Sequence, residues 1–285
     1  MLALAAQNLA NTNPPSKELT RTALTYRVKA ITSFNQAITQ GSVSLEMSNA
    51  MIGACFSLLF QSVMMEDGLI EYMTFIRGVI AVAIHMGENG INFLFKNMFN
   101  QTEIVQSELK DAQLIDPDLA RAACRSLEKL GPLIKNPKEI EYFGHLLSAA
   151  RALFTSSSDG TSFVPHPNLL ELIDLAYSNL TKIYGLFSYF MSHAEFATFI
   201  HPTNEAGKLL QSHFAALQLI MTPITLNSQG RRAATSPGRG TTAVWLTALH
   251  KRINPDFRDY YEWPMRIERG VAERTIPLKF EELTD

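Results

Sequence analysis

Two stretches of this chain, 47–65 and 209–230, run for roughly the length of a membrane-spanning helix without an Asp, Glu, Lys or Arg. Neither is purely apolar. The first holds Ser48, Asn49, Ser57, Gln61 and Ser62, and the second holds Gln211, Ser212, His213, Gln218 and Pro223. Segments of this kind are tolerated as helices when other helices surround them, so both are expected to be buried core helices and no membrane span is expected. The stretch from Ser44 to Glu66, apolar nearly all round, is expected to be the central helix.

Helical spacing continues along most of the chain. Leu24, Val28, Ile31, Phe34 and Ile38 recur at three and four residues within 17–40, and Gly41 follows as a stop. Residues 69–85 repeat the pattern with Leu69, Tyr72, Met73, Ile76 and Ile80 on one face. Further helices are expected at 101–113, 117–130 (with Asp116 as cap and Pro117 at the first helical position), 137–154, 168–192, 203–222 and 241–253. An irregular tail containing Pro255, Pro264 and Pro277 should follow. Strand alternation is missing, and no segment repeats at a fixed period. The expectation is an all-α fold of about ten helices in one domain, 1–285, because the flanks of both long loops are equally apolar. Those loops, 155–167 and 227–240, are rich in Ser, Gly and Pro and are expected to be mobile.

Composition removes several function classes. The 285 residues carry 25 basic and 27 acidic side chains, a net charge of -2, so direct nucleic-acid binding by this chain alone is not expected. The two cysteines, Cys55 and Cys124, cannot supply a four-ligand zinc site or a disulfide framework, and both fall on apolar helix faces where a buried, unreactive thiol is expected. Phosphate-binding glycine loops, zinc-protease and serine-hydrolase motifs are absent. His193, Glu195 and His201 are close in sequence, but their spacing does not place them on one helical face, and Pro202 interrupts the helix. No metal, cofactor or catalytic residue is assigned. The opening Met1-Leu-Ala-Leu-Ala-Ala lacks a basic segment and turns polar at Gln7-Asn8, which is not the pattern of a secretory signal.

What remains is a set of large, adaptable apolar side chains: Phe187, Phe190 and Met191, then His213, Phe214, Leu217 and Met221, then Trp245. Most of such a set is core. The rest could line an apolar pocket between helices for a lipid-like or aromatic molecule, with His213 as its polar group. Ser236, in Thr235-Ser236-Pro237 between Arg232 and Arg239, is a candidate for proline-directed phosphorylation.

Several segments together are similar to a known family. Met1–Ala10, Tyr26 to Ile38, Asn49-Ala-Met-Ile-Gly-Ala-Cys-Phe-Ser-Leu-Leu59 and Gly68-Leu-Ile-Glu-Tyr-Met-Thr-Phe-Ile-Arg-Gly78 resemble the middle regions of fungal zinc binuclear cluster transcription factors of the sterol-uptake-regulator type. Phe199-Ile-His-Pro-Thr-Asn204, His213-Phe-Ala-Ala-Leu-Gln-Leu-Ile-Met-Thr-Pro-Ile224, Trp245-Leu246 and Tyr260-Tyr-Glu-Trp-Pro264 continue the resemblance in order. The resemblance implies an all-helical regulatory domain that binds a lipophilic effector, forms a homodimer and acts in the nucleus or shuttles from the cytoplasm. That family reads DNA through an N-terminal six-cysteine cluster, which these residues do not contain. Three functions remain open: an effector-sensing regulatory domain, a freestanding pocket protein such as an isomerase or cyclase of fungal secondary metabolism, and an interaction module without a ligand.

Overall fold

A computed structural model describes residues 1–11, 16–40, 44–90, 115–153, 169–221 and 238–273. Among them every regular element is a helix, so the fold class is all-α. The α-helices are α1 (Leu2–Ala10), α2 (Lys17–Gln40), α3 (Leu45–Val63), α4 (Leu69–Glu88), α5 (Pro117–Leu130), α6 (Pro137–Ala152), α7 (Leu169–Gly185), α8 (His193–Phe199), α9 (Glu205–Ile220), α10 (Gly238–Arg252) and α11 (Glu262–Ala272). A π-helical turn, Leu186–Phe190, extends α7, and 3-10 turns occupy Gly131–Leu133 and Pro255–Tyr260. The expected helix at 101–113, the loop 155–167, most of the loop 227–240, Ser236 and Pro277 lie outside the described residues. Gly238-Arg-Gly240, expected in that second loop, instead opens α10.

Helix starts follow local chemistry. The Asp116 and Asn136 side chains accept from the amides of Asp118 and Lys138, and Pro117 and Pro137 take first-turn positions where no amide is required. The expected irregular tail is helical for the same reason. Asn254 caps the turn begun by Pro255, and Pro264 sits in the first turn of α11, where its missing N–H removes no helical bond.

Where the sequence suggests one domain, the helices gather into two compact units: Met1–Lys96 with Phe187–Tyr189, and Asn97–Leu186 with Phe190–Asp285. In unit 1, α3 packs along α4, and α1 packs on α2 and α3. Ile52, Val82 and Met86 form a core joined by Phe34, Met51 and Phe56. Contrary to the apolar-stripe reading of α2, Leu24 and Val28 stand 42% and 64% exposed, whereas Ala23 and Arg27 turn inward. Ile38 lies outside the described side chains.

The inward turn of Arg27 has a definite cause. Its guanidinium donates to Leu58 O at 3.1 Å, Gln61 Oε1 at 3.0 Å, Ser62 Oγ at 2.7 Å and Glu71 Oε2 at 2.5 Å, and it lies 5.1 Å from the centre of the Phe75 ring. Gln61 and Ser62 of the first uncharged stretch are thus partners for a buried cation. This also explains why α3 is not apolar on all sides; its Phe60 is 47% exposed. Among the described residues α4 is the one helix long and apolar enough to cross a membrane, judged by length and composition, and it lies packed on α3.

In unit 2, α9 packs against α5, α6, α10 and α11, and α6 also packs on α7. Every residue of α9 except Glu205, Ala206 and Gln218 is buried, so α9 is the enclosed helix of unit 2, while the segment 44–66, expected to be central, supplies α3, which packs on α1, α2 and α4 in unit 1. Asn204 caps it by accepting from the Gly207 amide at 3.0 Å, and its Nδ2 donates to Glu139 Oε1 at 2.7 Å. A Cβ on Gly207 would stand 2.3 Å from Phe199 O, so the helix start admits no side chain there.

Removing a buried cation leaves its acceptors unsatisfied, whereas half-exposed Glu71 (44%) can turn to water. Arg27→Ala is expected to cost about 3 kcal/mol in chemical denaturation and Glu71→Gln less than about 1 kcal/mol.

Candidate functional site

The burial of α9 carries four polar side chains inward at Lys208, Gln211, Ser212 and His213. Lys208 Nζ is neutralised by Glu205 at 2.6 Å and caps α10 by donating to Arg252 O at 2.9 Å. The other three lie among the remaining helices of unit 2, and they define the candidate site.

His213 has no exposed surface. Its Nδ1 is 2.8 Å from Leu209 O, one helical turn back, which requires the proton on Nδ1. Nε2 therefore accepts, and Ser126 Oγ of α5 lies 2.8 Å from it. Ser212 Oγ donates to the same Leu209 carbonyl at 2.7 Å, so that oxygen accepts two side-chain bonds. The imidazole stacks on Trp263 of α11, centres 5.6 Å apart at 25°. Burial lowers the His213 pKa to about 4, with the Leu209 bond opposing, and the ring is neutral at physiological pH.

A second set of bonds lies around Tyr261, which donates to Leu246 O at 3.0 Å. The Tyr261 ring packs edge-on against His250, centres 3.8 Å apart. His250 Nδ1 pairs with Glu268 Oε2, and Thr247 Oγ1 donates to Glu268 Oε1. Burial lowers the His250 pKa, opposed by Glu268. Burial also raises the Tyr261 and Tyr142 phenols, so both stay protonated.

Phe214, next to His213 in sequence, points elsewhere. Its ring lies edge-on to Tyr142 (6.0 Å) and Tyr184 (5.5 Å), and Tyr142 also meets Phe199 at 5.0 Å. Leu217, Met221 and Trp245 are buried as the sequence suggests, and Met191 is buried just after the π-helical turn. Phe190 does not join them: it is 60% exposed and lies over Gly185, where a Cβ would come within 3.7 Å of its ring. Phe187 is buried but groups with unit 1. The candidate residues therefore do not converge as one set, because consecutive residues of α9 face different neighbours.

Ser126, Tyr142, Gln211, Tyr261, Trp263 and Glu268 join the site although sequence pattern does not single them out as its members. The one available signal is the Tyr-Tyr-Glu-Trp run at 260–263, whose large amphipathic side chains require polar partners once buried. Among the described residues of unit 2, four buried polar atoms lack a hydrogen-bond partner: Tyr142 Oη, Gln211 Oε1, His250 Nε2 and Trp263 Nε1. A buried group of this kind costs about 1–3 kcal/mol until something bonds to it.

Among the described residues no three His, Cys, Asp or Glu side chains converge to hold a metal. Glu195 completes a capping box with Ser192, and His201 Nδ1 pairs with Thr203 Oγ1 at 2.8 Å, so Glu195 and His201 serve local structure. Cys55 and Cys124 are buried and free, and burial pushes the Cys55 thiol up to about 12. Compared with protein-family models, curated proteins and solved structures, the chain matches none.

The lowered histidine pKa values fix a pH dependence. Above about pH 6.5 these histidines are neutral in the folded and unfolded chain alike, and they contribute no slope. As pH falls from about 6.5 towards 4, the unfolded chain binds protons that folded His213 refuses. Stability should therefore fall by up to about 1.4 kcal/mol per pH unit for this group. Urea midpoints measured between about pH 7 and 5 should show the loss, and His213→Phe should flatten it; a flat wild-type profile would contradict the buried neutral ring.

Proposed function

We propose that this chain is the effector-sensing regulatory domain of a fungal transcriptional regulator, acting in the nucleus or cytoplasm, which binds a lipophilic small molecule among the helices of unit 2 and forms a homodimer. The carrying observation is the set of buried polar atoms without partners among the described residues, above all the hydroxyl of Tyr142, whose ring packs against Phe199 and Phe214, and the N–H of Trp263, whose ring stacks on His213. Such atoms within an aromatic interior suit a mostly apolar ligand carrying a few polar groups. The residues that resemble the sterol-uptake-regulator type supply the regulatory context. With two cysteines and a net charge of -2, DNA recognition would be supplied by something other than this segment.

The homodimer is supported by unit 1, where Leu24 and Val28 on α2 and Phe60 on α3 are large apolar side chains left exposed. Catalysis by a co-opted pocket is less favoured at His213, since Leu209 and Ser126 already occupy both ring nitrogens.

Tyr142→Phe separates ligand binding from packing. Its hydroxyl has no partner among the described residues, so the variant should match wild-type stability or gain up to about 1 kcal/mol, while binding of dehydroergosterol, read by energy transfer from the buried tryptophans, weakens about tenfold. A destabilised variant, or an unchanged affinity, would contradict the assignment. Sedimentation should show a wild-type dimer at micromolar concentration and a Val28→Glu monomer with unaltered helicity; a monomeric wild type would remove the dimer from the proposal.

A further inference from the structure

His250 takes no part in the bonds around His213 and is held at one ring nitrogen rather than two. Nδ1 faces Glu268 Oε2, and the other oxygen of that carboxylate is held by the Thr247 hydroxyl. The Tyr261 ring lies against the imidazole, and Tyr261 is itself fixed through Leu246 O. Turning the ring over would place carbon against the carboxylate, so the orientation is set. With Glu268 ionised the proton resides on Nδ1, and Nε2 presents a lone pair that is shielded from solvent and has no partner among the described residues.

Histidine oriented by a carboxylate that a further side chain holds is a chemically specific arrangement. The carboxylate favours positive charge on the ring and so strengthens Nε2 as a proton acceptor. An aliphatic alcohol makes little use of this, because its proton is too weakly acidic to move towards nitrogen. A carboxylate ligand would bring a second negative charge beside Glu268. An ammonium would have to leave water with a full charge and enter the field of Arg269, which already disfavours positive charge at His250. A neutral molecule with an acidic O–H avoids all three difficulties.

We propose that His250, oriented by Glu268, is a hydrogen-bond-accepting recognition site for a lipophilic molecule bearing a phenolic or enolic hydroxyl, which donates to Nε2. This inference rests on the reading of unit 2 as a lipophile-binding unit and specifies the ligand's polar group. On binding, the hydroxyl donates its hydrogen bond to Nε2 while the proton stays on oxygen and the imidazole, held through Nδ1 by Glu268, stays neutral. The unpartnered Trp263 N–H, two residues beyond Tyr261, is a second donor that such a ligand could engage with another oxygen.

The probes are 4-nitrophenol and 4-nitroanisole, which differ only in whether the oxygen carries hydrogen or methyl, together with dehydroergosterol. Equilibrium dialysis against the full chain, buffered below the phenol's own ionisation, should show 4-nitrophenol bound at least about tenfold more tightly than its methyl ether, the difference made by one charge-assisted hydrogen bond. The bound phenol should keep the absorbance band of its neutral form. Glu268→Gln and His250→Phe should bring the ratio close to one, leaving 4-nitroanisole binding and the helical spectrum as in wild type. If either variant fails to fold, the wild-type ratio decides alone. Equal affinities for the two probes, or a preference that survives in folded Glu268→Gln and His250→Phe, would overturn the proposal. Binding of dehydroergosterol without preference for the phenol would overturn it while leaving the lipophile-binding reading in place, and binding of neither would remove both.

Discussion

Enclosing α9 between α5, α6, α10 and α11 removes the water-facing side that most helices use for their polar residues. Each polar group on it must then be satisfied from within, and much of unit 2 follows from that requirement. Leu209 O takes two side-chain bonds because Ser212 and His213 have no solvent to turn to. Ser126 on α5 and Trp263 on α11 complete the surroundings of the imidazole. Lys208 ends on the last carbonyl of α10, so the same helix that forms the core also closes its neighbour.

Unit 1 meets a related requirement with a charge. Arg27 draws Leu58 O, Gln61, Ser62 and Glu71 around one guanidinium and thereby joins α2, α3 and α4. A buried ion pair stabilises little over a well-packed apolar substitute, but it specifies arrangement, since only one rotation of α2 brings Arg27 to its acceptors. The exposure of Leu24 and Val28 is the other side of that choice.

Much of this architecture is legible in the sequence. Helix starts at Asp116-Pro117 and Asn136-Pro137 are written in neighbouring residues, and the all-α class follows from periodicity without alternation. The orientation of α2 is not legible, because a stripe of Leu and Val outweighs one arginine in any periodic reading, while the partners of that arginine lie more than thirty residues away. Nor is the division of the site. His213 and Phe214 are adjacent in sequence, yet helical geometry turns them by about 100° from each other, towards different neighbours. Pro264 reads as a breaker because its position in a helical first turn depends on where that helix begins.

The enclosure of α9 also bears on how this chain can vary. A helix with an open face accepts exchange at about half of its positions, but here Gly207 admits no side chain, Lys208 and His213 are committed to partners, and the intervening residues fill space. Sequence drift would be forced onto α2, α3 and the outer surfaces of α6 and α10, where side chains stand in water. Distant kin of this protein are thus best sought through residues 205–220, where the fold leaves evolution the least room.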